Sequence, residues 1–166
     1  MTQNKKNVFE KIYEENYAMV HQLCFGYMKG DEAMAMDLLQ ETFINLWNSL
    51  DKFKGDSSYK TWVYRIAINT CLQQIRKNKN LQKVSISEIV ERAPGNELAK
   101  TDRYMELYQA IGKLNEIDRL IIMMVLDELE YTEIANVMGL EATNLRVKIH
   151  RIKKNLKKIL EDERAK

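Results

Sequence analysis

Residues 131–151 read YTEIANVMGLEATNLRVKIHR, and this stretch decides the fold of the C-terminal half. Its first part carries Ile134 and Ala135 on one helical face, which predicts a short amphipathic helix. Gly139 follows, and a tight turn between two helices needs a residue that can adopt a positive φ. A longer helix begins at about Glu141. The stretch therefore predicts a helix-turn-helix.

The long helix after the turn has one apolar face and one polar, basic face. Apolar residues recur on one side from Leu145 to Ile159. A DNA-recognition helix needs this layout, because its apolar side anchors it while the other side reaches bases and phosphates. The alternatives are an ordinary basic surface helix and a basic helix that binds a protein partner. The candidate DNA contacts here are Thr143, Asn144, Arg146, Val147, Lys148, His150, Arg151 and Lys154.

Helical periodicity continues through most of the 166 residues, which include one Pro and six Gly. We therefore expect an all-α protein of two small helical domains joined by a linker, the second domain ending in the helix-turn-helix. The expected limits are residues 1–80 for the first domain, 81–101 for the linker and 102–166 for the second domain.

Polar residues at the predicted helix starts provide caps. Asp31 follows the helix-breaking Gly30, and Ser58 ends the polar loop 52–58. Asn115 is placed to cap a helix in the second domain. In the linker, Ser85 with Glu88 predicts one short capped turn.

Charge is sorted along the chain although the net charge is only +2. Residues 142–160 contain seven basic residues and no acid, and residues 58–79 contain five and no acid. Such patches steer a polyanion even when the total charge is near zero. No apolar run approaches the length of a membrane span, and the first residues lack the apolar core of a signal peptide. We therefore expect a cytoplasmic protein without membrane insertion.

The second basic patch interleaves aromatic and basic side chains. Bases stack on aromatic rings while Lys and Arg follow the backbone, which is how single strands are held. Lys60, Tyr64 and Arg65 are expected to be exposed, whereas Trp62 at this spacing is more typical of a core residue. The polar loop 52–58 is suited to form a pocket for one extruded base.

Residues 37–47 form an amphipathic stretch in which acidic and amide side chains stand beside large apolar ones. Such a face is suited to dock on a helical partner, although spacing alone favours an ordinary solvated helix face. Asp31, Glu32, Asp37 and Glu41 have no histidine nearby, so a metal cluster is not expected.

The two cysteines, Cys24 and Cys71, lie far apart on apolar helical faces. We expect two buried thiols. Two histidines without a cysteine pair do not make a zinc site.

These motifs, in this order, resemble the extracytoplasmic-function subfamily of sigma-70 factors of bacterial RNA polymerase. The resemblance rests on residues 37–43 with Leu46 and Trp47, and on residues 59–67 with Asn69 and Arg76. In the second domain it rests on residues 131–135, 138–140 and 148–151. The resemblance covers nearly the whole chain. Two residues depart from the usual pattern of the family: Asn115 stands where a Pro is common, and Lys148 stands where an Arg is frequent. These departures leave the promoter sequence open.

The resemblance implies a sigma factor that directs core RNA polymerase to specific promoters and aids their melting. The first domain would be region 2, binding the β′ coiled coil and capturing the minus-ten element as a melted strand. The second would be region 4, reading the minus-thirty-five element and contacting the β flap. The implied core-binding residues are Asp37, Leu38, Gln40, Glu41 and Phe43. The implied minus-ten residues are Lys54, Ser57, Ser58, Lys60, Tyr64, Arg65, Asn69 and Arg76.

The resemblance also implies that the linker passes near the RNA exit path, that neither ATP nor a metal is needed, and that the free protein is monomeric. An anti-sigma factor is the expected regulator. Two other readings stay open: a helix-turn-helix regulator would bind duplex DNA alone, and a nuclease would act on DNA without polymerase. No nucleophile with a base, metal-ligand set or Gly-rich phosphate loop favours an enzyme.

Overall fold

A computed structural model describes residues 2–82 and 102–166 and places seven α-helices in them. No strand occurs in these two ranges, and the predicted all-α fold is confirmed. Residues 83–101, with most of the predicted linker and its Ser85–Glu88 turn, lie outside the described residues. The helices are α1 (Thr2–Tyr27), α2 (Glu32–Ser49), α3 (Tyr59–Gln82), α4 (Asp102–Gly112), α5 (Glu116–Leu126), α6 (Tyr131–Met138) and α7 (Ala142–Arg164).

The predicted caps form where the described residues include them. The Asp31 carboxylate accepts a hydrogen bond from the Met34 amide at 3.0 Å, and Ser58 Oγ accepts one from the Thr61 amide at 3.1 Å. At the start of α5, Asn115 Oδ1 accepts a hydrogen bond from the Asp118 amide at 2.9 Å. Each cap satisfies an amide that the first helical turn leaves unpaired, so these three polar residues determine where α2, α3 and α5 begin.

The first three helices form a bundle with an apolar centre. Helix α1 packs against α2 and α3, and α2 packs against α3. A short 3-10 turn, Leu50–Lys52, leads from α2 into the loop before α3. Burial of this apolar surface is the main stabilising contribution to the bundle. Its fully buried residues include Val20, Cys24, Ala35, Leu46, Val63, Ala67, Ile68 and Cys71.

The last four helices form the predicted helix-turn-helix domain. Gly139, directly after α6, has φ of +67°, so the turn uses the left-handed conformation that glycine adopts without a Cβ clash. Helix α7 buries the apolar side that periodicity predicted, with Leu145 wholly buried and Ile149 and Ile152 nearly so. The buried row anchors α7 against α4, α5 and α6 and leaves its other side in solvent.

The two groups of helices also pack directly on each other. Helix α1 contacts α4 and α5, and α3 contacts α6. A Cβ on Gly26 of α1 would overlap the side chain of Met123 on α5, so the absence of a side chain lets these helices approach. The Phe25 and Tyr108 rings meet edge to face, 4.9 Å between centroids.

Candidate nucleic-acid and protein interfaces

The outward face of α7 presents most of the side chains that the sequence assigns to duplex DNA. Opposite the buried row, seven of the eight are exposed, and Val147 retains 48% of its surface. An exposed valine flanked by polar donors is suited to contact a thymine methyl group. The seven are Thr143, Asn144, Arg146, Val147, His150, Arg151 and Lys154.

Lys148 differs from these seven because it is half-buried and faces α5. Its ammonium lies 2.9 Å from Asp118 Oδ1, and the Asp118 side chain is only 15% exposed. Asn115 donates to the other carboxylate oxygen at 2.7 Å. Lys148 therefore ties α7 to α5, in addition to any contact with DNA.

The loop before α3 is held by an aromatic cluster. Phe53 stacks on Tyr59 with 4.6 Å between ring centroids and lies 4.9 Å from Trp62. Trp62, which its spacing predicts to be a core residue, is half-buried and packs against the edge of the core. Sequence reasoning did not single out Phe53; a lone aromatic residue within a polar loop was the available signal.

Most of the candidate minus-ten residues lie on the open side of this loop and of α3. Ser57 is half-buried, and the Ser58 hydroxyl is engaged in capping α3. Helical spacing places Arg65, Asn69 and Arg76 on one side of α3, whereas Lys60 lies about 140° from Arg65 around the helix axis and pairs with Asp127. The exposed members are Lys54, Ser58, Lys60, Arg65, Asn69 and Arg76.

Tyr64 is buried, and the expectation that it is exposed is wrong. Only 1% of its surface is accessible; α6 packs against α3, and Asp127, which lies between α5 and α6, contacts the hydroxyl. Its hydroxyl donates a hydrogen bond to Asp127. Burial, followed by this hydrogen bond, raises the pKa of Tyr64 far above its ordinary value of 10.0.

An apolar groove of about 530 Å³ runs between α1 and α2. Aromatic rings of α1 pack against Phe43 on its floor; the Tyr13 and Phe43 rings are tilted by 56°, with 4.5 Å between their centroids. Asp37 and Gln40 stand on its rim, and Ile44 keeps 54% of its surface exposed. Periodicity had not singled out Ile44, because an apolar residue on an otherwise polar face breaks the helical pattern.

The candidate core-binding residues divide by exposure. Asp37 and Gln40 are exposed, and Glu41 is half-buried and pairs with Lys77 of α3 at 3.6 Å. Leu38 is 2% exposed, so its assignment as a direct contact is wrong: it faces the bundle and supports α2 from inside. Phe43, at 5%, reaches the surface only as the groove floor.

Two buried thiols lie within the N-terminal bundle, as predicted. Cys24 and Cys71 are free and buried. Burial raises the pKa of the Cys24 thiol from 9.0 to about 12, and burial also raises that of Cys71. Neither thiol is therefore a nucleophile at neutral pH.

Within residues 2–82 and 102–166, no three His, Cys, Asp or Glu side chains are grouped closely enough to hold a metal ion. In the same ranges, every helix is too short or too polar to cross a bilayer.

Family models match both halves of the chain. The model for sigma-70 region 2 matches residues 12–81, and that for sigma-70 region 4 matches residues 104–156. The two matches do not overlap, and the region 2 match precedes the region 4 match along the chain.

Curated relatives are similar over most of their length. RNA polymerase sigma factor YlaC of Bacillus subtilis is 30% identical, over 96% of this chain and 98% of that protein. The ECF RNA polymerase sigma factor SigW of Bacillus subtilis is 28% identical, over 95% and 91%. The ECF RNA polymerase sigma-E factor of Escherichia coli is 30% identical, over 69% and 68%.

Two solved structures share the fold. The sigma factor RpoE, in complex with the anti-sigma factor NepR from Bartonella quintana, superposes with a TM-score of 0.70 at 20% identity. That match covers 92% of this chain and 98% of RpoE. CnrH, in complex with the cytosolic domain of CnrY, gives 0.67 at 21% identity, over 95% and 90%.

Proposed function

The chain belongs to the extracytoplasmic-function subfamily of sigma-70 factors, and as a sigma factor directing RNA polymerase to promoters it carries three surfaces whose roles we propose here. We assign residues 1–80 to region 2, 81–101 to a linker and 102–166 to region 4. The family-model matches to residues 12–81 and 104–156 support these limits.

The exposed face of α7 reads the minus-thirty-five element as duplex DNA. Asn144, Arg146 and Arg151 supply hydrogen-bond donors for base edges or phosphates, and Val147 supplies an apolar contact. The observation that carries this assignment is the buried row of Leu145, Ile149 and Ile152 on the opposite side, which fixes the rotation of the helix.

The loop 52–58 and the exposed side of α3 capture the minus-ten element as a melted strand. Lys60, Arg65 and Arg76 neutralise phosphates, and the loop held by Phe53 accepts an extruded base. The free energy of binding these bases offsets the cost of opening the duplex. The chain thus acts as a binding factor and not as an enzyme, with no cofactor.

The rim of the α1–α2 groove binds core RNA polymerase. Exposed Asp37 and Gln40 and half-buried Glu41 give this rim acidic and amide groups beside an apolar floor. That combination is suited to the β′ coiled coil, because a helical partner brings both basic and apolar side chains. Region 4 contacts the β flap.

The protein acts in the cytoplasm, where bacterial RNA polymerase works, and it is a monomer when free. We assign its regulation to an anti-sigma factor. Two structural neighbours, RpoE and CnrH, are solved in complexes with NepR and with the cytosolic domain of CnrY.

The experiment that tests this assignment is co-elution of the purified chain with bacterial core RNA polymerase on gel filtration. Stoichiometric co-elution is expected. A folded chain that elutes apart from core enzyme and binds duplex DNA on its own would instead be a free-standing helix-turn-helix regulator.

A further inference from the structure

Met36 lies in the α1–α2 groove, although it is not among the residues assigned above to core RNA polymerase. Its side chain lines the groove and keeps 39% of its surface exposed. Residues four apart are neighbours on a helix, so Met36 forms one row along α2 with Gln40 and Ile44, which line the same groove. A partner that covers Gln40 and Ile44 therefore also covers Met36.

Tyr17 of α1 positions the Met36 sulfur at the edge of the groove. Its hydroxyl lies 3.9 Å from Met36 Sδ, and its ring lies nearly parallel to that of Phe43 on the floor. A thioether sulfur is only a weak hydrogen-bond acceptor. A sulfoxide oxygen is polar and accepts more strongly, so the Tyr17 hydroxyl can donate to it and hold it at this edge.

Met36 has a natural counterpart in Met34, which is exposed to the same degree but lies elsewhere on α2. Met34 keeps 42% of its surface exposed. Two residues correspond to about 200° around a helix axis, and the described residues that line the groove do not include Met34. The other methionines that the structure describes are buried or half-buried, namely Met19, Met28, Met105, Met123, Met124 and Met138.

An exposed thioether reacts directly with a peroxide. The sulfur lone pair attacks one oxygen of hydrogen peroxide, the O–O bond breaks, and the second oxygen leaves as water. The sulfur loses two electrons and the peroxide gains them, so no other reactant is needed. The product is methionine sulfoxide, which replaces a flexible apolar side chain by a polar one.

A sulfoxide at residue 36 opposes docking on the groove. The groove floor is apolar, with Phe43 accessible only there, and a docked helix expels water from it. The sulfoxide oxygen then loses its water, and the single Tyr17 hydroxyl replaces only one of the hydrogen bonds lost. The oxygen also occupies space in which an apolar side chain of the partner packs.

We propose that Met36 is an oxidation site that controls assembly: a peroxide converts it to the sulfoxide, and the oxidised chain binds core RNA polymerase more weakly. This proposal rests on the assignment of the α1–α2 groove to core enzyme. Methionine sulfoxide reductases return the sulfoxide to the thioether, with a thiol supplying the electrons, so the change is reversible.

Oxidation of the purified chain tests the proposal directly. Hydrogen peroxide is applied until peptide mapping shows the sulfoxide at Met34 and Met36, and the dissociation constant for core enzyme is measured before and after. It should rise about tenfold, the order expected for burying an incompletely paired polar group. Treatment with the reductases should restore it. Circular dichroism and the free-thiol count should not change, because Cys24 and Cys71 are buried.

Two leucine variants show which methionine is responsible, each compared with its own untreated sample. Met36→Leu removes the reactive sulfur, so peroxide should leave the dissociation constant of this variant unchanged. Met34→Leu removes the other exposed sulfur, and this variant should show the same rise of about tenfold as the unaltered chain. Met36→Gln places a polar group in the groove without oxidant and should bind core enzyme more weakly than Met36→Leu.

Three results would overturn the proposal. Met36 could stay reduced while Met34 is oxidised, the affinity could stay the same after Met36 is oxidised, or Met36→Leu could lose as much affinity on oxidation as the unaltered chain. A failure of the proposed function is seen earlier and separately, since a folded, untreated chain would then not bind core enzyme before any peroxide is added.

Discussion

The ammonium of Lys148 lies 2.9 Å from Asp118 Oδ1 and so ties the recognition helix α7 to α5. That oxygen is buried and makes no hydrogen bond within the described residues, so the ammonium balances its charge. The contact separates Lys148 from its basic neighbours on α7, which extend into solvent.

Lys148→Met should therefore act on stability more than on DNA binding. We expect it to lower the free energy of unfolding by about 1–2 kcal/mol, because a buried carboxylate loses its partner. Lys154→Met, on an exposed residue, should change stability little and weaken promoter binding. Urea denaturation of the two variants makes the comparison, and equal stability would show that the Lys148–Asp118 pair contributes nothing.

Arg151→Ala should weaken transcription from the promoters that this chain recognises, while its binding to core enzyme is retained. The loss should be roughly tenfold if Arg151 contacts a base edge. Lys153→Ala is the matched control, since its ammonium contacts the Tyr131 hydroxyl at 3.3 Å. Titration with core enzyme and run-off transcription are the two readouts; equal loss of both would remove Arg151 from the DNA interface.

Asp37→Ala should weaken binding to core RNA polymerase with the fold intact by circular dichroism. Asp37 is exposed on the rim of the α1–α2 groove and is positioned to meet a basic partner side chain. Asp162→Ala removes the same charge from an exposed position near the end of α7. Unchanged affinity of the Asp37 variant would take this residue out of the interface.

Gly139→Ala should destabilise the helix-turn-helix by about 1 kcal/mol, because φ of +67° is unfavourable for a residue with a Cβ. The space around Gly139 is open, so the cost is conformational and not steric. Gly139→Asn should cost less, since asparagine tolerates this conformation. The thermal unfolding midpoint should be highest for the unaltered chain, lower for Gly139→Asn and lowest for Gly139→Ala. Equal midpoints would contradict a left-handed conformation at residue 139.

Stability should fall as the pH rises above 9. Burial raises the pKa of Cys24 from 9.0 to about 12, so the folded chain keeps a proton that the unfolded chain releases. The stabilisation is complete below 9.0 and is lost as pH rises toward 12. Between about pH 8.5 and about pH 11, the urea midpoint of the Cys24→Ala protein should decline less steeply than that of the unaltered chain. Parallel curves would argue against a buried thiol.

The sequence predicts the helices better than it predicts their mutual packing. Apolar spacing identifies the inward side of α7, and Asp31, Ser58 and Asn115 mark helix starts, because these signals are local. Gly139 marks the turn for the same reason.

The position of Tyr64 depends on contacts that are distant in sequence. Spacing within α3 does not indicate that Asp127, 63 residues later, covers its hydroxyl. Gly26, in the last turn of α1, and Gly112, at the end of α4, are local signals of a close approach. Leu38 shows the complementary error, since membership of a functional motif does not place a side chain on the surface.

The proposed function requires that this chain give core RNA polymerase its choice of promoter through α3 and α7. Transcription by bacterial core enzyme on genomic fragments of the source bacterium, with and without the chain, tests it most directly, with transcript starts mapped by sequencing. We predict starts that depend on the chain and share one pair of upstream elements, and that weaken with Arg151→Ala. Starts that are the same without the chain, or that share no element, would contradict the claim.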